Sequence, residues 1–176
     1  MSKKFTATLS VSSIRKLQND LKKYKSNLYA KAEQFARELA DESVEIAKMK
    51  ISTFDAIFTG ELQDSIHSEE KQKEKNKVIF AVVAGTDHAL FVEFGTGQMG
   101  LDKPYPYELP EGVSWSYATG QTIRQNALGR YYWFYPDDDG KWHYTEGMPS
   151  RPFMYETAND LKQKVEEVAK RVFANS

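Results

Sequence analysis

Between Phe5 and Asp55 the chain contains neither proline nor glycine. An uninterrupted stretch of that length leaves the helix as the natural local structure, because nothing in it breaks the i to i−4 ladder. Apolar residues keep helical spacing throughout. Ile14, Leu17, Leu21 and Tyr24 share one face, and Leu28, Ala32, Phe35, Leu39, Ile46 and Met49 continue it to about Lys50. The spacing predicts one long helix or two consecutive ones, with Ser12 or Ser13 as the first cap and Ser26 or Asn27 as a point of restart. The apolar face is read as packing on a core, and a coiled-coil partner is the alternative.

Downstream the pattern changes several times. Thr59 and Gly60 break the helix, and Glu61 to Ile66 form a brief element with Leu62 and Ile66 on one side. Glu69 to Lys77 is a mixed-charge hairpin arm or loop, and Val78 to Ala84 is a valine-rich buried strand. Gly85 opens a turn. Ala89 to Phe94 is too short for periodicity to decide between strand and helical turn, and Gly95 to Gly100 reads as a glycine-rich loop. Gln121 to Leu128 is a short helix or a loop. Tyr131 to Tyr135 and Lys141 to Thr145 flank an Asp-Asp-Asp-Gly turn and predict a β-hairpin. Ser150 is the expected cap of a last helix, with Pro152 in its first turn and a buried face of Phe153, Thr157, Leu161, Val165, Val168 and Val172.

Composition bounds the function. The 176 residues fit a single domain, 1–176, with 98–147 as an insertion or extended hairpin region, and 40% hydrophobic content predicts a sizeable core. A formal net charge of −1 argues against dedicated nucleic-acid binding, and the absence of cysteine excludes thiolate chemistry and disulfides. No segment reads as a signal peptide or approaches the ~20 apolar residues of a membrane helix, so a soluble chain is expected.

Several patterns imitate chemistry. Gly95-Thr96-Gly97-Gln98-Met99-Gly100 matches the spacing of a dinucleotide-binding turn, but that turn must open a helix, and Pro104 and Pro106 are expected to prevent one. Asp137 to Asp139 lacks the alternating ligands of a calcium loop. His67, His88 and His143 are scattered, with no pair at helical spacing, so no metal and no cofactor are expected. Glu93, set among Phe91, Val92 and Phe94, is the most informative ionisable residue. If buried it must be hydrogen-bonded or paired. Nearby backbone amides or Arg151 are the expected partners.

Three separated segments carry a family resemblance. They are Thr59-Gly60-Glu61-Leu62-Gln63-Asp64-Ser65-Ile66, then Gly85-Thr86-Asp87-His88-Ala89-Leu90-Phe91-Val92-Glu93-Phe94-Gly95-Thr96-Gly97, and finally Arg151-Pro152-Phe153-Met154 ahead of the last helix. In this order the chain resembles the head–tail connector, or tail-completion, proteins of long-tailed bacteriophages, which are often labelled minor tail components. The resemblance implies an α+β fold, with long N-terminal helices and a C-terminal helix on a small, mainly antiparallel sheet. It implies a non-enzymatic structural protein of the virion, assembled in the host bacterial cytoplasm. Its partners would be copies of itself in a ring and other phage neck and tail proteins, with no membrane. A neighbouring role is the tail terminator that caps the tail tube. Readings from other classes are a small hydrolase using Glu93 with His88, and a DNA-binding accessory protein using the Lys71 to Lys77 arm.

The motif residues Thr59, Gly60, Leu62, Ser65, Ile66, Gly85, Ala89, Val92, Glu93, Phe94, Gly95, Thr96, Arg151, Pro152 and Phe153 are read as mostly architectural. Trp115, Tyr132, Trp133, Tyr135 and Trp142 are candidate interface residues, because Tyr and Trp concentrate in interface cores.

Overall fold

The computed structural model describes residues 4–56, 60–74, 77–118, 122–137 and 139–174. The fold is α+β: a long N-terminal helix, a C-terminal helix and small antiparallel sheets. Thr59 and Asp138, named above, lie outside the described residues.

Helix α1 (Val11–Thr53) is continuous over 43 residues, with no restart at Ser26 or Asn27. Its cap is Ser10, and neither Ser12 nor Ser13 serves. The Ser13 amide donates to the Ser10 hydroxyl at 3.2 Å, and the Ser13 hydroxyl accepts from Thr8 N–H at 2.9 Å. The first bond satisfies one orphan amide of the helix start, and the second ties the chain ahead of the cap to the first turn. Ser10→Ala is expected to cost about 1 kcal/mol of local helix stability. Hydrogen exchange should read this as roughly fivefold faster amide exchange in the first turn.

The remaining elements are α2 (Glu61–Ser65), β1 (Ile66–Glu74), β2 (Lys77–Ala84), α3 (Ala89–Phe94), α4 (Gly97–Asp102), β3 (Arg124–Gln125), β4 (Tyr131–Pro136), β5 (Trp142–Thr145), β6 (Gly147–Met148) and α5 (Phe153–Phe173). β1 and β2 form a two-stranded sheet, so the charged arm is strand up to Glu74. β3, β4 and β5 form a second sheet, antiparallel at both pairings. Gln121 also lies outside the described residues, and 122–128 forms no helix: it is turn and loop around the short strand β3.

The chain comprises two compact units. The first consists of Met1–Glu45, His67–Val83 and Asn159–Ser176. Its interior is built on Ala40, Ser43, Val168 and Val172, all buried, and Phe35 meets Phe173 with ring centroids 5.9 Å apart. Arg37 stacks over the Phe80 ring, Ser68 donates to Asp41 and Arg171 pairs with Glu38. Val165, expected to be buried, is 40% exposed. Ile14, Leu21 and Leu28 of α1 are also exposed, as is Met49 in the part of α1 that belongs to the second unit, although their spacing suggested a packed face. β2 is half-buried, with Ile79 exposed.

The second unit consists of Ile46–Ile66 and Ala84–Ala158. Ile51, Leu62, Ile66, Ala89, Val92, Phe94 and Phe153 make its core. Ser65 ties two of the sequence motifs together. Its hydroxyl donates to Leu62 O at 2.7 Å and accepts from Gly85 N–H at 3.1 Å. Gly60 precedes α2 at φ 86°, a left-handed conformation that a residue with a Cβ adopts only at a cost.

Candidate functional site

Positions 89, 92 and 93 fall on one face of the short helix α3, so Ala89, Val92 and Glu93 are buried together while Leu90 and Phe91 face outward. Glu93 is only 6% exposed. Its carboxylate accepts from Met154 N–H at 2.8 Å and Tyr155 N–H at 3.1 Å. These are amides of the first turn of α5, which have no partner within their own helix. Glu93 thus caps α5 from another helix. Ser150, the residue expected to do so, donates its hydroxyl to Glu93 O at 2.7 Å. Pro152 lies one position before the first helical residue, not inside the first turn, and its carbonyl accepts the first helical bond from Glu156 N–H. Arg151 is not the partner of Glu93. Its backbone amide donates to Val92 O and its Nε to Phe54 O at 3.0 Å.

Burial pushes the Glu93 carboxyl up to about 7, against the pull of the two amides, and the negative charge of Glu156 adds to the rise. A carboxyl with such a value could serve as a general base. Both of its oxygens are taken by helix amides, however. His88 lines a cleft of about 520 Å³ whose walls do not include Glu93. No hydrogen bond or ion pair joins Glu93 and His88 among the described residues.

Backbone segments cross tightly at the glycines of the second motif. Thr96 bridges Met148 and Gly97 bridges Gly147, both antiparallel. A Cβ on Gly95 would lie 2.6 Å from Ser150 N, and one on Gly97 would lie 2.5 Å from Glu146 O. Both glycines also have positive φ. The loop expected at 95–100 contains a helix after all, since α4 fits its six residues before Pro104. Its N-terminus is engaged by the fold: Gly97 N–H donates to Tyr117 O and Met99 N–H to Glu146 O. The glycines here are required by close packing of backbone.

The aromatic segment separates into three groups. Trp115 is drawn inward, with its Nε1 donating to Gly95 O at 2.9 Å and its ring against Phe91 and Phe94. Nearby, Tyr107 stacks on Tyr155, Tyr105 meets both rings edge-on, and the Tyr107 hydroxyl donates to Glu156. Trp133 and Tyr135, on one face of β4, line the cleft with Arg151, Val92 and Ile51. The other face of the β4–β5 hairpin carries Tyr132, Phe134, Trp142 and Tyr144. Phe134 pairs in register with Tyr144, and Pro136 with Trp142. Tyr132 stacks on Tyr144 at 5.4 Å, yet Phe134, Trp142 and Tyr144 remain 46%, 66% and 52% exposed. Phe134 and Tyr144 were absent from the sequence-derived candidates. The alternation along Tyr131–Tyr135, combined with the register across the turn, is the signal that places them on this face.

The charged patterns are accounted for locally. Asp137 holds the hairpin turn, accepting from Asp139 N–H, Lys141 N–H and the His143 ring at 2.7 Å. Lys73 pairs with Glu33 at 2.6 Å, and Lys71 with Glu69. Arg130 is held between Glu146 and Asp102. No cluster of His, Asp or Glu among the described residues could hold a metal ion, and no described helix is long and apolar enough to cross a membrane.

Residues 15–95, a little under half of the chain, match the model of the HK97-gp10-like family, described as "Bacteriophage HK97-gp10, putative tail-component". The match ends at Gly95, so it takes in the first motif and most of the second. Neither a curated protein nor a solved structure matches the chain.

Proposed function

We propose that this chain, whose family is that of phage tail components, is a tail-completion or neck subunit that joins head and tail through protein–protein contacts. The observation that carries the reading is the family match over residues 15–95. The use of the motif residues agrees with it. Glu93, Ser65, Gly95 and Arg151 are spent on joining helices and strands to one another, which leaves surface fit as the chain's work. On this reading the subunits form a ring by head-to-tail contacts, since a cyclic ring of more than two copies needs a heterologous interface. The chain acts as part of the virion, without bond chemistry or a cofactor.

Particles made without this chain should accumulate as filled heads and separate tails of normal length, and adding the purified chain should join them. Tails of uncontrolled length would favour the terminator role instead. Normal joined particles would overturn both. The outward hairpin face is the proposed contact with a neck or tail partner. Trp142→Ala should leave the urea midpoint nearly unchanged, because that ring is two-thirds exposed, while weakening partner binding by about 2 kcal/mol or more. Native mass measurement of the complex checks this.

A further inference from the structure

The outer edge of β2 is a strand edge of the kind that folded chains ordinarily protect. β2 pairs with β1 alone, so the backbone groups along its other side meet no strand among the described residues. β1 carries Glu69, Glu70, Lys71, Lys73 and Glu74, and such charges keep an edge from recruiting another strand. Val78 to Ala84 carries neither charge nor proline. Beside this edge, within the first unit, lies a groove of about 340 Å³ floored by Ala36, Leu39 and Ala40 of α1 and Leu161 of α5. Ile79 on the edge is 37% exposed, and Val165, one turn beyond Leu161 on α5, is 40% exposed. A strand added here would meet open backbone at its side and apolar side chains beneath it, the setting for β-strand addition.

The chain itself carries a segment that fits. Phe5, Ala7 and Leu9 alternate with Thr6 and Thr8, the period of a strand with one apolar face, and threonine favours extended backbone. This arm belongs to no helix or strand. Phe5 rests edge-on against Tyr24, and Leu9 is fully exposed. The arm cannot reach the groove of its own chain. From the helix start at Val11, the stretch from Ser10 back to Phe5 spans at most about 20 Å. Ala36 to Ser43 lie about 38–48 Å along α1 from the same point. We infer that residues 5–9 of one copy add as a strand to the β2 edge of a second copy, with Phe5, Ala7 and Leu9 turned into the groove. The transfer gives up one ring contact and gains a backbone ladder. Arm and groove are different surfaces, so each copy donates to one neighbour and receives from another, which is the head-to-tail contact of a ring. The inference rests on the self-association part of the function proposed above. The two fail separately, because this one is read on the purified chain alone and joining is read on particles.

The test is sedimentation of the full chain across a concentration series. The parent chain should associate. Ala7→Asp with Leu9→Asp disables the arm, and Ile79→Asp disables the groove. All three positions are exposed, so the helical circular dichroism spectrum should not change. Each variant alone should show a dissociation constant raised about tenfold or more, because a carboxylate would be carried into an apolar groove. An equimolar mixture of the two variants holds one intact arm and one intact groove. It should form one-to-one pairs at least about fivefold more tightly than either variant associates with itself, which a merely destabilising change would not produce. A parent chain that stays monomeric at the highest concentration overturns the inference. So does an arm variant that associates like the parent, as it would if two β2 edges met across a two-fold axis. An Ile79→Asp chain that associates like the parent, or a mixture no tighter than its components, overturns it equally.

Discussion

At pH 5, Glu93→Ala is expected to lower the stability of the second unit by about 3 kcal/mol, read as a shift of the urea midpoint followed by tryptophan fluorescence. All three tryptophans, Trp115, Trp133 and Trp142, lie in that unit, so the probe reports on it alone. Losing a helix cap costs about 1 kcal/mol. Two amides at the start of α5 would also be left in a site where Phe153 is fully buried, and each buried unsatisfied donor costs about 1–3 kcal/mol. An effect well under 1 kcal/mol would mean that water replaces the carboxyl.

The pH dependence separates the two influences on this residue. Its carboxyl sits at about 7 in the folded chain, above its ordinary value near 4.5, so the folded state holds the proton more tightly than the unfolded one. The corresponding stability is fully present below about pH 4.5 and is lost as pH rises through about 7. A rise of that size corresponds to about 3 kcal/mol over the window. Glu93→Gln, which cannot titrate, should be flat there, so the gap between parent and variant should narrow with rising pH. The surface carboxylates Glu33, Glu38, Asp102, Asp137 and Glu146 are all held below their ordinary values by hydrogen-bonded partners, Lys73, Gln34, Gln98, His143 and Arg130 in turn. Their contributions have the opposite sign and are lost only as pH falls further. A gap that widened from pH 5 to 8 would show that the helix amides outweigh burial at Glu93.

Periodicity was enough to locate α1, α5 and the β4–β5 hairpin, because each rests on local spacing. It could not say which apolar residues are covered. Leu28 and Phe35 occupy the same helical row, and only the position of Phe173 makes one exposed and the other packed. Glu93 stood out as a lone carboxyl among apolar residues, but its partners are backbone amides some sixty residues away, which no side-chain pattern advertises. The argument from Pro104 and Pro106 against a helix after Gly95 failed on length, since a six-residue helix ends before the first proline matters. The aromatic run was legible as an interface candidate without being divisible. Whether Trp133 or Phe134 turns outward depends on register, and register is set by the turn around Asp137 and Gly140. Gly147 carried no sequence signal, because the need for glycine there comes from a chain crossing it at Thr96.

That crossing predicts the largest single-substitution effect. Gly147→Ala is expected to cost about 4 kcal/mol, enough to unfold the second unit under mild denaturant. A Cβ at this position would lie 2.1 Å from Thr96 O and 2.6 Å from Thr96 C, both backbone atoms fixed by the bridges on either side. The residue also has φ +91°, where a side chain is strained by about 1–2 kcal/mol before any contact is counted. Relief would require separating the Thr96–Gly97 and Gly147–Met148 segments. That in turn would displace Gly97, whose own Cβ position is filled by Glu146 O and the Trp133 ring. Gly129→Ala is the matched control: its φ is +75°, in the same unit, with nothing within 4 Å of the new methyl. Strain alone should therefore appear there as about 1 kcal/mol, and the excess at Gly147 measures the crossing. Equal losses at the two positions would mean that the Thr96 segment yields freely, and that the glycines of the second motif are required by their turns and not by the close approach of two chains.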